Sequence, residues 1–163
     1  MHNFRKAYSV VGAVLLLEFL AQFYVIAVSM FDTLAKQMPF ANNPDVTQAA
    51  AQEVDVFAAA HAVSGIFIIP PTVLILIGLS FGARYPWRTT ILTALLLLLL
   101  VIQFALAVIG FLGVPLVAGL HGINAILLVG LGTYLVTRNW AFGRVISTPK
   151  SLAPVSPSRD PRQ

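Results

Sequence analysis

Four stretches of this chain, residues 9–31, 55–79, 89–111 and 115–137, are apolar for at least 23 residues each. About 20 helical residues cross the hydrocarbon core of a bilayer. Lipid offers no partner to backbone N–H and C=O groups, so a spanning segment must satisfy them internally, as a helix does. The expected fold is therefore all-α, a four-helix transmembrane bundle. Composition excludes an ordinary soluble domain, because only 10% of the 163 residues are charged, against about 25% in soluble proteins. The chain has no cysteine, which removes disulfides, thiolate metal sites and covalently attached haem.

Charge placement sets the expected orientation, since Lys and Arg are retained on the cytoplasmic side. Arg5 and Lys6 precede the first span, Arg84 and Arg88 lie between the second and third, and Arg138, Arg144, Lys150, Arg159 and Arg162 follow the fourth. Nine of the ten basic residues thus share one side; Lys36 is the exception, in a first loop that also holds Asp32, Asp45 and Glu53. Both termini are expected in the cytoplasm. Tyr8, Tyr85, Trp87, Tyr134 and Trp140 sit at the cytoplasmic ends of their spans, where amphipathic rings prefer the headgroup zone. The net charge of +4 is then a topology signal, and nucleic acid is not an expected partner.

The organisation follows. Residues 1–8 form a cytoplasmic amino terminus and residues 9–137 the membrane bundle; the first span is too long for the apolar core of a signal peptide and reads as retained. The loop at 32–54 is the one sizeable outer segment, with a turn signal at Asn42-Asn43-Pro44-Asp45 and a helical lead into span two from Val46. Residues 112–114 leave so short a connection that spans three and four must be antiparallel neighbours. The basic tail at 138–163, rich in Pro and Ser, cannot bury enough apolar surface to fold and is expected to be disordered.

An ionisable group at membrane depth costs about 2.5–3.5 kcal/mol on insertion scales, so each one needs a reason. The candidates are Glu18 and Gln22 in span one, His61 in span two, Gln103 in span three, and His121 with Asn124 in span four. At ~1.5 Å of rise per residue, Gln22, His61, Gln103 and His121 lie roughly 14, 9, 12 and 9 Å from the outer ends of their spans. One polar side chain from every helix reaches nearly the same plane. In a bundle this layer points inward, where hydrogen-bond partners exist. Small residues flank both histidines, Gly65 one turn from His61 and Gly119 and Gly122 beside His121; they admit either a close helix or a flat ligand. Pro70-Pro71 interrupts span two below His61 and is expected to kink it. No Lys or Arg within a span can pair with Glu18, which is either a proton-accepting group or an interhelical hydrogen-bonding one.

Two histidines at matched depth on alternate helices have the pattern of a b-type haem site, with neutral imidazoles of His61 and His121 holding the iron. Gln22, Gln103, Gly65 and Asn124 would line or support that site, the amides as outer-shell partners of the ligands. A bare metal ion has too few donors here, since catalytic zinc usually takes three protein ligands. A quinone, hydrogen-bonded by a histidine and a glutamine, is a further option. The alternative to all of these is a cofactor-free accessory or assembly subunit whose polar layer fixes helix register. No hydrolase, transferase or nucleotide-binding motif occurs, so any enzymatic role is limited to redox chemistry. The expected surroundings are the lipid bilayer, with a membrane redox subunit or further copies of the chain as partners.

Gln22-Phe23, His61 with Gly65, Gln103-Phe104 and Leu120-His121-Gly122-x-Asn124 resemble a family of small bacterial four-helix membrane proteins known only as a domain of unknown function. The resemblance covers roughly residues 8–137. It implies four spans in a bacterial inner membrane and no particular activity. The placement of His in spans two and four is also similar, in architecture alone, to bis-histidine b-type membrane cytochromes.

Overall fold

The computed structural model describes residues 1–37 and 55–142, and the described residues form helices, with no strand among them. The order is α1 His2–Gln37, α2 Val56–Phe67, α3 Ile69–Gly82, α4 Trp87–Phe111 and α5 Pro115–Arg138. Helices α2 and α3 together make one crossing, so four helical segments are long and apolar enough to span a membrane. The protein is an integral, multi-pass membrane protein. The turn signal at 42–45, the helical lead from Val46 and the tail beyond residue 142 fall outside the described residues; residues 138–142, expected in the disordered tail, are instead ordered, Arg138 ending α5 and the Ala141 N–H donating to Ser9 Oγ.

Each boundary has a local cause. At 36 residues, α1 is about 54 Å long; it runs past the expected span at both ends, and Asp32 pairs with Lys36 one turn on at 3.0 Å. Span two breaks at Ile68 (φ −108°, ψ −53°), because Pro70 and Pro71 have no N–H to give the carbonyls of Ile66 and Phe67. The expected kink is thus a division into two helices. Gly113, at φ +89°, ends the α4–α5 connection in a conformation that glycine adopts without strain, its N–H donating to the Gly110 carbonyl at 3.1 Å.

The helices form a ring in which α1 packs on α2, α3 and α5, and α4 on α3 and α5; α2 makes no backbone approach to α4 or α5. Packing is uneven along the membrane normal. The core comprises Tyr8, Leu15 and Phe19 of α1, Ile69, Val73 and Leu76 of α3, Leu96 and Leu100 of α4, and Leu128 and Leu135 of α5. All of it lies in the half nearer Arg5, Lys6, Arg84, Arg88 and Arg138, called here the basic half. In the far half only Ser29 and Asn124 are fully buried among the described residues.

Polar groups close the basic end. The Tyr8 hydroxyl lies 2.9 Å from Thr93 Oγ1, and Thr93 donates its own proton to the Thr89 carbonyl at 2.9 Å, so Tyr8 is the donor of that pair. Ser9 Oγ accepts from the Ala141 N–H at 2.9 Å, while the Tyr85 hydroxyl donates to the Asn139 carbonyl at 3.2 Å. Tyr85 also stands edge-on to Tyr8, with ring centroids 5.0 Å apart, beneath the Arg5 guanidinium at 5.4 Å. These bonds tie α1 to α4, to the α3–α4 turn and to the end of α5.

Close approach of α1 and α5 depends on Gly12: a Cβ built there would lie 2.6 Å from Val136 Cγ2, a stiff β-branched side chain that cannot swing away. Gly12→Ala is expected to lower the stability of the detergent-purified protein by about 1–3 kcal/mol. Gly78→Ala, where an added Cβ meets nothing within 4 Å, is expected to leave it unchanged or slightly raised. Unfolding midpoints in mixed micelles compare the two.

At the far end, Asp55, expected as the first residue of span two, stands just outside the helical span that begins at Val56, capping α2 by accepting from the N–H groups of Phe57 and Ala58 at 2.9 and 3.0 Å and from the Ser29 hydroxyl of α1. The Ser29 bond, then the backbone N–H groups, hold its carboxyl below the usual carboxylate range. A carboxylate depressed in the folded state stabilises the fold above its unfolded pKa, about 3.9, and that contribution disappears as pH falls through the lowered value. Asp55→Ala is therefore expected to destabilise at neutral pH, with its difference from the wild type shrinking as the medium is acidified below about pH 4.

Candidate functional site

The far half divides into two helix pairs. In one, α2 lies on α1, with Gln22 Oε1 3.8 Å from the position a Cβ on Gly65 would take. In the other, α4 and α5 approach so closely at the turn that a Cβ on Gly110 would lie 3.3 Å from Ala118 Cα. Each pair carries one histidine, His61 on α2 and His121 on α5. Their rings meet in an edge contact with centroids 6.4 Å apart and planes inclined at 63°. Both histidines are half-buried.

Hydrogen bonding distinguishes the two rings. His121 Nδ1 lies 3.1 Å from the main-chain carbonyl of Gln103. A carbonyl oxygen only accepts, so Nδ1 carries the hydrogen and, in the neutral ring, Nε2 keeps its lone pair. His61 Nδ1 is buried without a hydrogen-bond partner. A buried polar atom left unpaired costs about 1–3 kcal/mol, so the position asks for a ligand or a proton acceptor.

The amide residues take different roles. Asn124 donates to the Leu99 carbonyl at 2.9 Å and to Gln103 Oε1 at 2.6 Å. The side chain of Gln103 is thereby held by Asn124, and the residue reaches His121 through its backbone. Gln22 stays on the α1–α2 pair that carries His61, its side chain beside Gly65. Of the residues singled out from the sequence, the structure brings together His61 with His121, Gln103 with His121 and Asn124, and Gln22 with Gly65.

Glu18, one turn from Gln22 toward the basic half, lies 3.0 Å through Oε1 from Thr72 Oγ1 of α3, and its Oε2 is buried without a partner. Sequence reasoning missed Thr72. The only signal that could have found it is its position directly after Pro70-Pro71, where a hydroxyl follows the break in span two.

Chemically, two imidazoles on opposite helix pairs can grip one metal ion or two carbonyl groups of a flat ligand. Among the described residues no three His, Cys, Asp or Glu side chains converge. Comparisons with family models, curated proteins and solved structures find no match for this chain.

Asn124→Leu removes two bonds that join α5 to α4. Such interhelical bonds in membrane proteins contribute about 0.6 kcal/mol on average and about 1.7 at most. The substitution is expected to cost an amount within that range. A double-mutant cycle with Gln103→Leu, read by unfolding in mixed micelles, should return a non-zero coupling between the two side chains.

Proposed function

We propose that this protein is a b-type haem electron carrier of the membrane, its iron ligands His61 and His121. The single observation that carries the reading is the 6.4 Å separation of the two ring centroids between the helix pairs. Metal–imidazole nitrogen bonds are about 2.0–2.1 Å, so both rings would be close enough to hold one metal between them. The unpartnered His61 Nδ1 and the absence of a packed core at this level among the described residues fit a flat cofactor as well. When bound, haem b supplies one-electron chemistry.

The chain's own residues would do the rest. The Gln103 carbonyl fixes the His121 tautomer and presents Nε2 as a ligand, while Asn124 holds Gln103 in place. Apolar side chains on both helix pairs would suit an apolar macrocycle. On the positive-inside rule the basic half faces the cytoplasm with both termini, and the resemblance to the bacterial four-helix family supports an inner membrane as the location. A quinone in the lipid phase or a neighbouring redox subunit would exchange the electron, because so little of the chain lies outside the bilayer.

One observation favours a second reading, a cofactor-free scaffold: the bonds of His121, Asn124 and Gln103 already join α4 to α5. Spectra separate the two. Protein expressed with ample haem and purified in detergent is expected to show a Soret band that shifts on dithionite reduction, with sharp visible bands. His61→Ala and His121→Ala are each expected to abolish them while leaving a helical, monodisperse protein. A colourless wild-type preparation refutes the haem reading and leaves the scaffold.

A further inference from the structure

Away from the helix ends, Glu18 is the one acidic side chain in the described helices, and its surroundings suit two protonation states. Thr72 Oγ1 lies 3.0 Å from Glu18 Oε1 and 3.0 Å from the Ile68 carbonyl. The hydroxyl has one proton for these two neighbours. Both bonds are made at once only when Glu18 itself carries a proton and donates to Thr72, which then donates to Ile68. When Glu18 is a carboxylate, the hydroxyl turns and donates to it, and the Ile68 carbonyl keeps the Thr72 N–H at 3.2 Å. Thr72 therefore answers either state by a rotation, with no helix displaced.

Packing around Glu18 is one-sided. Toward the basic half, Leu15 and Phe19 of α1, Ile69 and Val73 of α3, and Leu100 and Leu128 close the core. Toward the far half the described residues show no such packing, and polar side chains ascend from Glu18 to Gln22 one turn on and to His61 above Gly65. The carbonyls of Ile66 and Phe67, deprived of their usual donors by Pro70 and Pro71, add acceptors at the break in span two. The titratable and charged groups on or capping the elements packed against α1 are Asp55 and His61 at α2, and His121, Tyr134 and Arg138 on α5; α3 has none.

We propose that Glu18, with Thr72 as its hydrogen-bonding switch, is a proton-loading site that exchanges protons with the far side of the membrane and not with the basic side. The step is the addition of one proton to a carboxylate oxygen of Glu18, while the Thr72 hydroxyl changes from donor to acceptor; no electron moves. It goes beyond the haem reading and stands without it.

The test uses the full chain in sealed vesicles of one orientation and dicyclohexylcarbodiimide, which adds to a protonated carboxyl in apolar surroundings, read by intact mass and fragment mapping. The expected result is one adduct, on Glu18, lost in Glu18→Gln. Its rate should fall as the pH on the far side is raised, respond little to pH on the basic side, and be unaffected by sodium. Thr72→Val keeps the carboxyl and should move the pH profile, and Thr72→Ser should restore it. Absence of the adduct from folded wild-type protein overturns the proposal. Protection by sodium overturns it in favour of a cation site, and control by basic-side pH overturns the direction of access. The wild-type measurements need no variant to fold.

Discussion

Lipid supplies no hydrogen-bond partner, and that absence decides where the polar side chains of this protein go. In water, Tyr8, Ser9, Thr93 and Asn124 could each face solvent at little cost. Here they turn inward and find one another or a backbone carbonyl, and in doing so they fix which helix lies beside which. Apolar burial alone could not do this, because lipid tails are as apolar as leucine and give no hydrophobic drive for helices to associate. Hydrogen bonds and close van der Waals approach at Gly12, Gly110 and Gly132 therefore carry specificity that a soluble bundle would draw from its core.

The same forces act unevenly along the membrane normal. At the basic end, leucines interlock beneath a seal of tyrosine, threonine and serine hydroxyls that spans α1, the α3–α4 turn, α4 and the end of α5. In the far half the bonds run within helix pairs, Asp55 with Ser29 between α2 and α1, and Asn124 with Gln103 and Leu99 between α5 and α4. Among the described residues nothing comparable joins one pair to the other except the meeting of the two imidazoles. The result is a bundle rigidly clasped at one end and divided at the other.

Much of this was legible in the sequence. Length and hydropathy sufficed for four spans, Pro70-Pro71 for the interruption of span two, and the three-residue connection at 112–114 for the α4–α5 hairpin. The matched depth of His61 and His121 followed from helical rise alone. Other features were not accessible, for physical reasons. Depth says nothing of azimuth, so the grouping into pairs, Gln22 with Gly65 and Gln103 with Asn124, needed the packing. Backbone acceptors have no letter in a sequence, which is why Gln103 looked like a side-chain partner of His121 when its carbonyl is the group that meets the ring. Span ends blur where polar residues continue a helix past the hydrocarbon, as at His2 and Gln37.

Only two buried side-chain polar atoms lack a partner among the described residues, Glu18 Oε2 and His61 Nδ1. Both belong to the α1–α2 pair, and both lie at or above the level where the core ends. An unpaired buried polar atom is tolerated only where stability is supplied elsewhere, and the clasped basic end supplies it. A group that paired with either atom would gain the free energy that folding left unused. One at His61 that also met His121 would bridge the two helix pairs where the protein itself does not. The loosely packed half is thus the part of the molecule whose geometry a bound group can set, while the basic half holds its shape without one.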